Sequence, residues 1–402
     1  MKILIASDFY KPTINGVVTS ILNLKEGLEL LGHEVRVLTL STSIKTYEED
    51  GVYYISSINA EKIYPDARFT IPNKKKAIED IIEWGPDVIH TQNEFSTFFM
   101  ARIIAKELSI PIVHTYHTVY TDYTHYFFKS KKVGKTVVLI CTKLLGRSVS
   151  TIIAPTEKIY KILKRYGVKC PVTTIPSGIS LENFYVEIDK KECEEIKRNL
   201  RIPENHLTLL SVSRIGREKR VDELIQYMKR LKGENISLVI VGDGPEREKL
   251  QRLVKKSGLS NQVKFTGMIA PSQVPTYYKM ADLFVSASTS EAQGLTYIES
   301  LAAGTPILCK QDDCLDGVLE EMKNGYAFIN EAEFLQKLEY FRKHADHKAL
   351  SRYAKNIQTK YAKESFVNSV LNIYETNTRE SERQRSKVAK LVGYLYQRCR
   401  LS

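Results

Sequence analysis

The chain of 402 residues contains no run of roughly eighteen apolar residues, so no segment reads as a helix that crosses a bilayer. Its start, MKILIASDFY, enters a strand without the charged, apolar and small-residue zones of a secretory leader, and the protein is expected to stay in the cytoplasm. The six cysteines (Cys141, Cys170, Cys193, Cys309, Cys314, Cys399) form no C-x-x-C and have no paired histidine spacing beside them. That scatter argues against a zinc site or a disulfide framework and predicts free thiols, with no metal and no prosthetic group. The first turn, ASDFYKPTINGVV (6–18), lacks the G-x-G-x-x-G of a dinucleotide site, which counts against a dehydrogenase. A GxxxxGK[ST] phosphate loop and a G-x-S-x-G serine elbow are also missing. No internal repeat or low-complexity linker breaks the chain, and 43% hydrophobic content excludes a largely disordered one.

What is present is a regular alternation. KILIAS, VRVLTL, VIHTQ, PIVHTY and TIIAP are short Ile- and Val-rich strands separated by helical segments such as Val17 to Leu31, the pattern of a parallel sheet covered on both faces. After TTIPSGI the pattern restarts with LTLLSVS, SLVIVG, VKFTG, DLFVSAS and PILCK. The expected class is α/β with two doubly wound Rossmann-like domains, over 1–178 and 179–350, followed by C-terminal helices over 351–402. In open parallel sheets ligands sit outside the carboxyl ends of the strands.

The motifs fall at such ends. In SEAQGLTYIESLAAGTPIL (290–308), Glu291 and Glu299 stand eight positions apart around a Gly-Leu-Thr turn, between the strand ADLFVSAS and a helix read from Leu295 to Ala303. Gln293, Gly294, Leu295 and Thr296 lie around the helix start, where free N–H groups and the helix dipole suit a phosphate. Glu299, about a turn further in, is placed for the hydroxyls of a nucleotide. In SVSRIGREKRVDELI (211–225), Arg214 and Lys219 are two cations at one strand end, the arrangement that stabilises a departing diphosphate. VGDGPEREKL (241–250) repeats the strand, glycine turn and helix, with Asp243 and Gly244 at the turn. Each motif alone also fits an ordinary solvated loop; their order along one chain is more specific.

Together the motifs resemble the retaining glycosyltransferases of family 4, which have the GT-B architecture. The matching residues run in order through Asn15-Gly16-Val17, His117-Thr118, Arg214 and Lys219, Gly242-Asp243-Gly244-Pro245, Phe265-Thr266-Gly267, Glu291 and Glu299, and Ala303-Gly304-Thr305-Pro306. The resemblance implies two domains facing across a cleft, with the last helices crossing back to the first. It implies transfer of a sugar from a nucleotide donor with retention of configuration. Glu291 would hold donor-sugar hydroxyls, Glu299 the ribose, and Arg214 with Lys219 the diphosphate. Gly16 would let the first loop approach that diphosphate, and His117 would face the reacting sugar. Arg220 departs from the pattern, since many relatives have glycine after the lysine.

IVHTYHTVYTDYTHYF (112–127) holds three histidines among aromatics. His114 reads as a core histidine, whereas His117 takes its role from the resemblance, and Asp122 is a candidate acceptor-side carboxylate.

The net charge of +12 is uneven. Eleven Lys and Arg stand between Thr121 and Cys170 against Asp122 and Glu157. At 100° per residue Lys129, Lys132, Lys135, Lys143 and Arg147 share one helix face and Val133, Val137, Ile140, Leu144 and Leu145 the other, with Leu139 on the basic side. That pattern fits an interfacial helix on anionic lipid, or a core-packed helix with a solvated basic face. From Arg379 seven further cations (Arg379, Arg383, Arg385, Lys387, Lys390, Arg398, Arg400) are interleaved with Leu391, Val392, Tyr394, Leu395 and Tyr396.

A closer resemblance, carried by His114-Thr-Tyr-His117-Thr, Tyr120, Asp122-Tyr123, His125-Tyr126 and Gln293-Gly294-Leu295-Thr296-Tyr297, is to bacterial 1,2-diacylglycerol 3-glucosyltransferases. It implies UDP-glucose as co-substrate, diacylglycerol or a glycolipid as acceptor, and action as a peripheral protein on the inner face of the cell membrane. The alternatives are a second-step enzyme acting on a glycosylated diacylglycerol, or a transferase for a soluble sugar. A nucleic-acid-binding protein would explain the charge but offers no base-reading module, so no nucleic acid is expected as partner.

Overall fold

The computed structural model describes residues 1–400 apart from 61–66, 71–74, 129, 187 and 360, and the side chains of 125, 358–359 and 388–400 also lie outside the description. The chain divides into two units, Met1–Gly178 together with the chain from Lys363 onward, and Ile179–Ala362. The last change of unit therefore falls at Lys363 and not at 351. Leu350 and Ala354, on the helix His347–Ala354, are buried in the core of the second unit.

In the first unit β1 (Lys2–Ala6), β2 (Glu34–Leu40), β3 (Tyr47–Glu49) and β4 (Val52–Ile55) precede a two-stranded ribbon of β5 (Ile58–Asn59) and β6 (Arg68–Phe69). β7 (Val88–Thr91), β8 (Ile112–Thr115), β9 (Thr151–Ala154) and β10 (Val172–Thr174) complete the main sheet, whose order is β10-β9-β8-β7-β1-β2-β4-β3. Among its described strands only β3 runs antiparallel. The five strands read from sequence are β1, β2, β7, β8 and β9, while β3, β4 and β10 are additions. The β3–β4 hairpin carried a signal, Asp50-Gly51, whose two residues take the left-handed φ of 49° and 75° that a two-residue turn requires.

The helix Gly16–Leu30 starts where Asn15 accepts the N–H of Val18 at 2.9 Å, satisfying one of the free donors of the first turn. Its buried Val18, Ile21, Leu24 and Leu28 follow the helical repeat. Ile21, Leu24 and Leu28 share a core with Ile3 and Ile5 of β1 and with Phe366, Val367, Val370 and Tyr374 of the last helix, Lys363–Arg400. That burial is what ties the chain's end to the first unit.

The second unit is a six-stranded, wholly parallel sheet of β11 (Leu207–Val212), β12 (Ile236–Val241), β13 (Val263–Gly267), β14 (Leu283–Ser286), β15 (Ile307–Lys310) and β16 (Gly325–Phe328), in the order β13-β12-β11-β14-β15-β16. Along β12, Val239 and Val241 enter one core while Leu238 and Ile240 enter another, so both faces are covered. This is why the strand reads as an unbroken apolar run. Strand β16 went unread because GYAF lacks the β-branched residues that mark the others.

Candidate active site

In the second unit the sequence motifs gather at the carboxyl ends of β11, β12 and β14. Arg214 lies two residues beyond β11, and its Nη2 donates to Glu218 Oε1 at 2.5 Å. Glu218 is buried, so its carboxylate is a fixed anchor for the guanidinium. Lys219 Nζ donates to Glu291 Oε1 at 2.6 Å, with both side chains mostly shielded from solvent. The structure thus brings together two residues 72 positions apart, one read as a diphosphate cation and one as a sugar-binding carboxylate.

The Gly242–Gly244 turn laces onto the Arg214 loop. Ile215 N donates to Asp243 O at 2.8 Å, and Glu246 N to Ile215 O at 3.1 Å. Gly242 has φ 127°, and a Cβ there would lie 2.0 Å from Ser213 O, so no other residue fits this approach. The Asp243 side chain accepts from Gly244 N at 2.7 Å and from Arg247 Nη1 at 2.6 Å, which places it within the turn's own network.

Gly294 caps the helix Leu295–Ala302 with φ 71° and ψ 53°, and a Cβ there would press within 2.6 Å of the Tyr297 ring. Leu295 and Thr296 follow as the first helical residues, where N–H groups lack intrahelical acceptors. Gln293 is buried just before the cap. Glu299 Oε2 accepts from Tyr278 OH at 2.9 Å, and burial pushes its carboxyl up to about 7 against that bond's opposing effect.

Arg220, the departure noted above, takes the left-handed conformation at φ 54° and ψ 35°, which explains why glycine suits the position. It pairs with Glu223. Arg220→Gly relieves about 1 kcal/mol of backbone strain and gives up a partly shielded pair worth some tenths of that. The expected result is a melting temperature higher by roughly 1–3 °C in a thermal scan, and a lower one would show that the pair outweighs the strain.

In the first unit, Gly16 is the exposed first residue of its helix. His117 lies two residues past β8, with its Nε2 2.6 Å from Gln92 Oε1. The carbonyl oxygen accepts, so Nε2 carries the proton and Nδ1 is the basic nitrogen. Burial, helped by repulsion from His114, lowers the His117 pKa to about 3, and the ring is neutral at physiological pH. His114 is fully buried between Thr91 Oγ1, 2.8 Å from Nδ1, and Glu94 Oε1, 3.2 Å from Nε2, as its core reading requires. Asp122 sits in the one-turn helix Tyr120–Tyr123, and the His125 side chain lies outside the described residues. Sequence reasoning missed Glu218, Gln92 and Tyr278. Only Glu218 left a signal, as a carboxylate four residues from Arg214.

The basic helix spans Lys131–Gly146. Its inward face is built of Gly134, Thr142, Leu145 and Gly146, so Leu145 points away from the stripe it was grouped with. Val133, Val137, Ile140 and Leu144 are 52%, 36%, 50% and 53% exposed and form one outward stripe, with exposed Lys132, Lys143 and Arg147 along one flank. Lys129 is outside the described residues, as are the side chains of Lys390, Arg398, Arg400 and the apolar residues between them. Among the described residues no helix is long and apolar enough to cross a membrane.

Residues 14–183 match the family described as Glycosyltransferase Family 4, and residues 192–359 match Glycosyl transferases group 1. The alpha-monoglucosyldiacylglycerol synthase of Acholeplasma laidlawii is 35% identical over 398 residues, covering 93% of this chain and 96% of that one. The protein of the same name from Streptococcus pneumoniae (strain ATCC BAA-255 / R6) is 38% identical over 335 residues, covering 82% and 76%. Among solved structures, Anabaena Alr3699/HepE in complex with UDP-glucose aligns with a TM-score of 0.73 at 15% identity, over 94% of this chain and 100% of that one. Sucrose-phosphate synthase from Thermosynechococcus elongatus aligns with the same score at 20% identity, over 93% and 98%.

Proposed function

The chain belongs to the family-4 glycosyltransferases and has their GT-B fold, and on that premise we propose that it moves glucose from UDP-glucose to the free hydroxyl of diacylglycerol, with retention, at an anionic membrane surface. The observation that carries the lipid reading is the outward Val133, Val137, Ile140 and Leu144 stripe flanked by cations. Apolar side chains left about half exposed and set beside Lys and Arg suit the headgroup boundary of anionic lipid. The two synthases similar to this chain carry diacylglycerol in their names, which supports the same acceptor here.

In this reading Arg214 and Lys219 meet the diphosphate, and the N–H groups of Leu295 and Thr296 add donors to it. Gln293 and Gly294 shape that loop, and the Asp243-Gly244 turn holds the Arg214 loop in place. Glu291 takes sugar hydroxyls while holding Lys219. Glu299 takes the ribose, Gly16 leaves room for the phosphates, and neutral His117 accepts a hydrogen bond from a sugar hydroxyl at Nδ1 without adding charge. The bond from the anomeric carbon to the phosphate oxygen breaks as the acceptor oxygen attacks from the same face. The acceptor proton passes to the leaving phosphate. Negative charge grows on that phosphate, which is where fixed cations lower the barrier.

A consequence concerns pH. Glu299 must be ionised to accept two ribose hydroxyls, and in the free protein burial has raised it to about 7. Below that pH the protonated carboxyl has less acceptor capacity, so the apparent donor KM rises as pH falls from 8 to 6, by up to about tenfold per unit below the pKa. Glu299→Gln should weaken donor binding at all pH values and flatten the profile. A wild-type donor KM that is level across this range would remove Glu299 from ribose binding.

The direct test is transfer of radiolabel from UDP-glucose to diacylglycerol in anionic vesicles, with Glu291→Ala in parallel. A chloroform-soluble product that the variant fails to make is the expected result. Donor turnover without lipid product would move the reading to a glycosylated lipid or a soluble acceptor.

A further inference from the structure

Glu94, just past β7 in the first unit, has no part in the roles assigned above. Its side chain is 15% exposed, Oε1 lies 3.2 Å from His114 Nε2, and Oε2 accepts from Tyr120 OH. A carboxylate has about four acceptor positions, so two donors supplied by the fold orient Glu94 and leave capacity for a donor from outside the protein. Asp8, just past the neighbouring β1, is 7% exposed. Its Oδ1 accepts the N–H of Thr97 at 2.9 Å, its own N–H donates to Asn93 Oδ1 at 3.0 Å, and its Oδ2 is buried with no hydrogen-bond partner among the described residues. Burial, reinforced by repulsion from Glu94 and opposed by the N–H of Thr97, pushes Asp8 up to about 7.

The rim of this group is apolar. Phe95, Phe99 and Ile103 are 38%, 49% and 45% exposed at helical spacing along one outer face of Ser96–Leu108. Phe95 meets Tyr120 edge-on at 6.0 Å and Phe69 at 6.5 Å, so the ridge begins at the ring whose hydroxyl binds Glu94. A carboxylate at the foot of an exposed aromatic ridge matches a molecule with a hydroxyl at one end and a hydrocarbon chain at the other.

We propose that Glu94 receives the hydroxyl of the lipid acceptor, oriented by Tyr120 and His114, with Asp8 as a positioning residue and the Phe95, Phe99 and Ile103 ridge taking an acyl chain. The inference rests on the lipid-acceptor reading above and names its acceptor site. In the bound state the hydroxyl's one hydrogen points to Glu94, which holds the acceptor oxygen in place. As that oxygen bonds to the anomeric carbon and the bond to the phosphate breaks, the hydroxyl turns and the same hydrogen passes to the leaving phosphate oxygen, so Glu94 is not required to titrate.

The test uses the full-length protein on vesicles containing diacylglycerol, with initial rates measured against both substrates. Glu94→Gln keeps the shape and removes the charge; it should raise the acceptor KM tenfold to a hundredfold while the donor KM stays within twofold. Tyr120→Phe removes one hydroxyl only and should raise the acceptor KM threefold to tenfold, which guards against a misfolded Glu94 variant. Asp8→Asn should act in the same direction as Tyr120→Phe. An acceptor KM unmoved in Glu94→Gln, or donor and acceptor KM rising together, overturns the assignment of Glu94. No lipid product from the wild-type enzyme would instead sink the lipid reading, and this inference with it.

Discussion

Lys219→Ala should lower turnover by about two to three orders of magnitude, the range found when one preorganised donor to a developing negative charge is removed. The apparent donor KM should move far less. Lys219 lies 2.6 Å from Glu291 in a shielded position, so it is held before the donor arrives and loses little freedom as charge builds on the phosphate. Its removal also takes the Lys219 charge from beside Glu291, and a carboxylate with less positive charge next to it would repel a diphosphate more strongly. The double variant Lys219→Ala with Glu291→Gln, read against Glu291→Gln alone, separates the two effects. If repulsion alone slows the single variant, removing Lys219 costs nothing further in the Glu291→Gln background; if the lost cation matters, it slows that background as well. Unchanged turnover in Lys219→Ala would take this residue out of the mechanism.

The second large effect is on membrane association. Each cation close to an anionic surface contributes about 1 kcal/mol, so losing the attraction of Lys132, Lys143 and Arg147 weakens partitioning by about a hundredfold, and reversal to Glu weakens it further. Vesicle sedimentation at low salt should show near-complete release of the triple Glu variant. The same reversals at the exposed Lys249, Lys255 and Lys256, in the second unit, should leave binding intact. Changing Val133, Ile140 and Leu144 to Ser should release the protein by a route that salt does not modulate, because that loss is of apolar area. Equal release by the control reversals would mean that net charge, and not this helix, brings the protein to lipid.

The sheets were legible because parallel strands covered on both faces leave an unbroken record of Ile, Val and Leu, and ten of the described strands could be read that way. The hairpin β3–β4 carried its signal in Asp50-Gly51, and β16 carried almost none. The basic helix could be placed along the chain, yet two packings stayed open, since amphipathicity does not say which stripe faces the protein. Gly134, Thr142 and Gly146 decided it: small residues pack inward, and the larger Val133, Val137, Ile140 and Leu144 are left outside.

By itself the sequence determined what is local: strand and helix periods, the glycines at strand ends, and the cations and carboxylates that share one loop or one helix start. Tertiary structure alone decided the partnerships. Lys219 with Glu291, His117 with Gln92, Glu299 with Tyr278 and Glu94 with Tyr120 join residues 21 to 72 positions apart. Three of these pairs meet because neighbouring parallel strands end at the same edge of a sheet, and Glu299 meets Tyr278 because the helices Leu295–Ala302 and Val274–Met280 lie against each other. Burial was decided there too. Whether a carboxyl such as Glu299 stands near its ordinary pKa or at about 7 depends on how much water the fold removes from it, and that is a property of packing, which no residue carries alone.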